Sequence, residues 1–249
     1  MAGVVDVEWI IPLWSTEAAR RAEMEDARFL DVVRRLDAGD WGRPTDCEGW
    51  DVRALVSHVV GAYESLASWR ELAHQIKGGR ALGEQLGLKN VLDATNELQV
   101  RDRTACSPAE LVGRLERAAP GARRRRRRLA GRLRRVRVPV ADTAPISLGQ
   151  VLAVVYTRGT WMHRVDISRA VDREIELTPG HDGRIVADVV REWAGHHGRP
   201  FRLDLTGPAG GSYEQGAGGE EHRLDAVEFC RALSGRWNGT GLLEARVAF

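Results

Sequence analysis

Lysine is almost absent from this chain: only Lys77 and Lys89 stand among its 37 basic residues, a codon bias of GC-rich genomes such as those of actinobacteria. Cysteine is scarce as well. Cys47, Cys106 and Cys230 are too few and too far apart for a disulfide framework, and no pair has zinc-ribbon spacing, so the chain reads as cytoplasmic. No apolar run approaches the roughly 18 residues of a membrane-spanning helix. The opening MAGVVDVEWIIPLW has no basic leader and is interrupted by Asp6 and Glu8, which excludes a signal peptide. There is no internal repeat.

What remains is an ordinary globular composition, 249 residues with 43% hydrophobic and 29% charged. A chain of this length buries about 70–75% of its unfolded surface and needs neither disulfide nor structural metal to hold a core. Any metal is then expected to be functional. The net charge of +2 conceals an uneven distribution, because residues 123–137, RRRRRRLAGRLRRVR, hold ten arginines and no acid, leaving 27 basic against 35 acidic residues elsewhere. Such a run can track a phosphate backbone. Here no aromatic residue is interleaved, no helix-turn-helix signal adjoins and the rest of the chain is net negative, so it reads as a solvated helix end and loop, with nucleic acid not expected as a partner.

The pattern of apolar spacing predicts a helix opening at Ser15 and closing by Gly39, a second capped by Asp51, a third over Lys89 to Arg103, and a fourth capped by Ser107 with Pro108 at its first position. That fourth helix enters the arginine run. A last long helix runs from Ser147 to Ala170. After Asp172 the composition changes: residues 182–197 read as a helix, FRLDLTG as a strand, GPAGGSYEQGAGG as a Gly-rich turn region with GPAGG a hairpin turn, LDAVEFCRALSGR as a helix and LLEARVAF as a closing strand. The fold class is therefore α plus α+β, an up-down helical bundle over 1–175 followed by a small α+β domain over 176–249.

Chemistry concentrates in two stretches. WGRPTDCEGWDVRALVSH places two tryptophans and a Pro-Thr turn before a helix whose stripe of Ala54, Leu55 and Ala62 includes His58. A lone histidine on such a face is more often a satisfied core residue. The last bundle helix, however, reads YTRGTWMHRVD and puts His163 on a face with Tyr156, Gly159 and Asp166. Histidines and carboxylates on facing helices are how bundles build ligand and metal sites. Cys47, in the loop part of the first stretch, is a candidate nucleophile, although buried structural cysteine is the commoner outcome. His196 and His197 read as solvated.

These segments, with the asparagine-bearing DATNELQVRDR at 93–103, MHRVDISRA at 162–170 and FCRALSGR at 229–236, resemble the mycothiol-dependent maleylpyruvate isomerase family, relatives of the DinB-like metal-binding four-helix bundles. The resemblance spans nearly the whole chain and implies a DinB-like bundle with a second, α+β domain. It further implies one divalent metal, usually zinc, held by a histidine matching His58 and by a Glu-x-x-x-His pair whose histidine is His163. The glutamate position is Gly159, and Asp166, Tyr156 or Glu97 would have to substitute; without a third ligand the site would hold well under one zinc per chain. Catalytic roles fall on His58, His163 and Asp166, and on Arg236 in LSGR, whose guanidinium fork suits an anionic group. The implied function is that of a small-molecule enzyme acting in a cavity of the bundle on an anionic substrate, by thiol-dependent isomerisation or transfer with mycothiol. The alternatives are metal-independent isomerisation, elimination or cyclisation in secondary metabolism, or a non-catalytic ligand-binding relative.

Overall fold

In the computed structural model, which describes residues 3–88, 90–138, 140 and 145–249, the chain forms two compact units, Ser15–Ile175 and the segment ending at Trp14 together with Glu176–Phe249.

The first unit is the helical bundle. Helix α1 is Ser15–Arg34, α2 Val52–Ala67, α3 Trp69–Leu86, α4 Val91–Arg101 and α5 Pro108–Ala130. Next come two short paired strands, β2 (Arg137–Val138) and β3 (Ile146–Ser147), numbered after the N-terminal strand of the other unit. A brief helix α6 (Leu148–Gln150) then passes through a π turn, Val151–Val155, into α7 (Tyr156–Ala170). Two of the helix starts were legible as caps. Asp51 Oδ1 accepts from the Ala54 amide at 2.7 Å, and Ser107 with Glu110 forms a reciprocal capping box ahead of Pro108. Phe29, Val33, Val52, Leu55, Val59, Leu111, Leu115 and Ile167 meet in one buried core of α1, α2, α5 and α7.

Helix α3 was not expected. Its three interior glycines weaken the sequence signal, and the structure shows why two of them are there: a Cβ on Gly79 would lie 2.6 Å from Thr95 Oγ1, and one on Gly78 2.8 Å from a Leu98 methyl. Small residues let α4 pack closely on α3. Helix α4 itself begins at Val91 rather than at Lys89, which lies outside the described residues.

The arginine run is also more than a solvated face. Arg126 is 4% exposed; its Nε donates to the Leu152 carbonyl at 2.7 Å and its Nη2 to Thr157 Oγ1 at 2.6 Å, tying α5 to the helix opposite. Arg123 pairs with Asp26 at 3.0 Å, and Arg125 stacks 4.0 Å over the Trp69 ring. Arg124, Arg127 and Arg128 are exposed. One run thus supplies both structural pins and surface charge.

The second unit is a four-stranded sheet with two helices. Its N-terminal strand β1 (Val5–Asp6) pairs in parallel with β5 (Gly211–Gln215), so the first residues, counted with the bundle from sequence, belong to this sheet. The order is β1-β5-β4-β6, with β4 (Phe201–Thr206) antiparallel to β5 and parallel to β6 (Glu220–Asp225). Phe201, Leu203 and Leu205 alternate inward beneath α8 (Arg184–His197) and α9 (Ala226–Leu233). GPAGG makes the β4–β5 turn, as expected. Strand β5, however, sits inside the stretch read as turn, and β6 precedes α9 where no strand was expected. The closing strand does not form: Gly241–Glu244 is a 3-10 turn, whose Leu242 carbonyl accepts from Trp193 Nε1 at 2.9 Å.

Candidate functional site

His58 and His163 face each other inside the bundle, their ring centres 5.3 Å apart in an edge-to-face arrangement. The buried face of α2 around His58 is mostly apolar, whereas α7 buries Thr157, Arg158, Thr160, Arg164 and Asp166 beside its apolar residues; an unpaired imidazole inside the bundle would be costly, so the partners of the ring nitrogens decide what the pair can do.

For His58 the partner is Gln99 of α4, whose Oε1 accepts from Nδ1 at 2.8 Å. The direction of that bond is set from behind. Gln75 Nε2 donates to the Gly61 carbonyl at 2.9 Å, a group that can only accept, so Gln75 Oε1 is left to receive Gln99 Nε2 at 2.7 Å. Gln99 Oε1 therefore points at His58, which must carry its proton on Nδ1 and leave the Nε2 lone pair free. The relay needs a close approach of α4 to α2, and Gly61 permits it: a Cβ there would lie 2.6 Å from Gln99 Cγ. Burial, the neighbouring His163 and the charge of Arg103 together push the His58 pKa down to about 3, against the opposing pull of the Gln99 hydrogen bond. His58 is thus neutral at pH 7.

For His163 the partner is Asp166, one turn on in α7, whose fully buried carboxylate receives Nδ1 at 3.2 Å. This repeats the arrangement at His58, an acceptor held against Nδ1. It is how histidines that bind metals or act as bases are held. The same Asp166 Oδ2 accepts from Cys47 Sγ at 3.4 Å.

Cys47 and Trp50 reach the site from the loop before α2. Trp50 N donates to the Cys47 carbonyl at 3.0 Å, closing a four-residue turn in which Gly49 takes φ +77°, the type II geometry that favours glycine. Thr45 Oγ1 donates to the Trp50 carbonyl at 2.8 Å, and Asp46 is tied to Arg169 of α7 at 2.8 Å. The Trp50 ring lies 5.1 Å from His58.

The other candidates stand elsewhere. Glu97 pairs with Arg101 at 2.7 Å, and Tyr156 lies 5.6 Å from the Arg126 guanidinium. Arg236 belongs to the second unit, just beyond α9, where Nη1 donates to Ser234 Oγ at 3.0 Å. A bundle cavity of about 380 Å³, lined by Asp26, Tyr63, Leu115 and Arg123 among others, does not include either histidine. His196 Nδ1 donates to the Arg246 carbonyl at 2.9 Å, and the residue is exposed. His197, by contrast, is partly buried, its ring 4.5 Å from Trp193. Sequence reasoning missed Gln99 and Gln75 and gave Trp50 no role beyond its motif; the helix holding Gln99 was noted for its asparagine, Asn96, and for Glu97.

Residues 22–168 match the family model of the mycothiol maleylpyruvate isomerase N-terminal domain. The chain belongs to that family. Two solved structures share the fold over 94% of this chain and 93% of theirs. One is a histidine-to-alanine mutant of the mycothiol-dependent maleylpyruvate isomerase, with TM-score 0.57 and 17% identity. The other is the mycothiol-dependent maleylpyruvate isomerase itself, with TM-score 0.56 and 19% identity. No curated protein sequence matches the chain. As a maleylpyruvate isomerase family member it carries the bundle that the model describes and, outside the matched span, an α+β unit that the solved structures also cover. Among the described residues no helix is long and apolar enough to cross a membrane.

Proposed function

We propose that this chain is an enzyme of the mycothiol-dependent isomerase type, performing thiol-dependent isomerisation or transfer on a small anionic molecule at the His58–His163 pair. The observation that carries the reading is the pair itself: two imidazoles with ring centres 5.3 Å apart, each with Nδ1 against a fixed acceptor, on two helices inside the span that the family model matches. Membership in a mycothiol family supports the thiol as co-substrate.

The residues fit a divalent metal. Their donors are imidazole nitrogen, thiol sulfur and carboxylate oxygen, the set zinc takes, and the rings are close enough for one ion at a Zn–N distance of about 2 Å to touch both. His58 and His163 would hold it. Bound there, it would lower the pKa of the mycothiol thiol, since the thiolate and not the thiol is the nucleophile. Gln99 and Asp166 keep the two Nδ1 protons in place, which aims both lone pairs the same way through each turnover. Trp50 covers His58 and limits water at the reacting centre. In the second unit, Arg236 is the proposed anion-binding residue, through a planar fork that lysine does not reproduce.

Gly159, standing where the family places a glutamate ligand, favours a second reading in which the bundle has been reused for metal-independent isomerisation, elimination or cyclisation, with a histidine Nε2 as the base. One experiment separates the two. Turnover of maleylpyruvate and related small unsaturated acids is followed with and without mycothiol, on protein as purified and after chelation. The first reading expects turnover that requires mycothiol and falls on chelation. Turnover indifferent to both would transfer the assignment to the second.

A further inference from the structure

We propose that Cys47 supplies, as a thiolate, the metal ligand that Gly159 lacks, so that this chain holds its ion by His58, His163 and Cys47. The proposal rests on the reading of the histidine pair as a metal site.

Gly159 has no side chain to offer, and a catalytic zinc needs three protein ligands besides its open position. The fold brings a third donor to His163 from a different element. Cys47 Sγ, a His163 ring nitrogen and an Asp166 carboxylate oxygen all lie within 4.8 Å of one another. The sulfur is not there by accident of a floppy loop: the Gly49 turn and the Asp46–Arg169 ion pair at 2.8 Å fix where the loop meets α7. Thiolate and imidazole together are a common zinc donor set, and mixed cysteine–histidine combinations serve catalytic as well as structural sites.

Asp166 takes a different part. Its Oδ2 already receives His163 Nδ1 at 3.2 Å as well as Cys47 Sγ at 3.4 Å. When the ion binds, Cys47 gives up its proton to solvent and its sulfur turns from the carboxylate to the metal, while Asp166 keeps the Nδ1–H of His163. No electron changes hands. Cys47 releases one proton for each ion it ligates.

The test uses the full chain, stripped with chelator and titrated with cobalt(II) alone as the probe. The expected result is one equivalent bound, with a thiolate-to-cobalt charge-transfer band in the near ultraviolet beside the visible bands of a low-coordinate site. Cys47→Ser should keep its circular dichroism and melting temperature, lose the band and bind cobalt at least roughly tenfold more weakly, the scale seen when a metal's supporting residue is removed. Cobalt bound one to one without the band, or a band that survives in Cys47→Ser, would overturn the proposal and leave the histidines, or another cysteine, as the ligands. Wild-type protein that binds no cobalt would overturn it together with the metal part of the functional reading, whereas the mycothiol requirement is decided separately by turnover.

Discussion

A histidine is informative only through what its second nitrogen touches. His58 could be picked out of the sequence because it interrupts an apolar stripe, and His163 because it shares a face with Asp166, an i, i+3 partner that helix geometry alone supplies. Gln99 could not, because its role depends on how α4 packs on α2, a contact set by Gly61 and invisible in either segment. The relay makes a sharp prediction. Gln99→Leu keeps the volume but leaves the His58 Nδ1–H without an acceptor, and metal affinity and turnover should fall about 10- to 100-fold while stability falls by about 1–3 kcal/mol. A variant with unchanged cobalt affinity would reduce Gln99 to packing. The arginine run carries a second lesson at this scale, since ten identical residues in fifteen positions hide different roles that only burial distinguishes. Arg126→Met loses two charge-assisted hydrogen bonds, at 2.7 and 2.6 Å, and should cost on the order of 2 kcal/mol in chemical denaturation. Arg127→Ala, exposed one residue along, should stay within about 0.5 kcal/mol of wild type. Equal effects would contradict the division of the run.

Elements were legible where a local signal fixed their ends. The Asp51 cap and the Ser107 capping box placed α2 and α5, because the bonds that start a helix are made by residues adjacent in sequence. Where tertiary contact overrides local preference the reading failed. Glycines in α3 look like breakers until α4 is seen resting on them, and β5 and β6 are short, polar and flanked by glycine, with only Tyr213 of β5 buried. LLEARVAF has the apolar content of a strand, yet its first part turns to offer a carbonyl to Trp193. Helix α8 ends in a consequence that can be measured. Burial foremost, then the charge of Arg199, holds the His197 pKa below its ordinary 6.5. The folded chain therefore binds fewer protons there than the unfolded chain, and the His197 contribution to stability, complete above pH 6.5, is lost as the pH falls. His197→Phe keeps a ring against Trp193 and removes that proton. Its unfolding free energy should drop less between pH 7 and pH 5 than that of wild type, and parallel pH profiles would show that His197 is solvated after all.

For the whole molecule, composition fixed the class and the motif order fixed the family, while the assignment of the first residues to the sheet of the second unit needed the β1–β5 pairing to be seen. The account as a whole stands on one claim, that His58 and His163 form a single thiol-handling site in the bundle. Calorimetric titration of mycothiol into the purified chain tests it most directly. The account predicts one site per chain, weakened at least roughly tenfold, or about 1.4 kcal/mol, by His58→Ala and by His163→Ala alike, with both variants still folded by circular dichroism. Mycothiol binding that is untouched by either substitution, in protein that retains its fold, would contradict it.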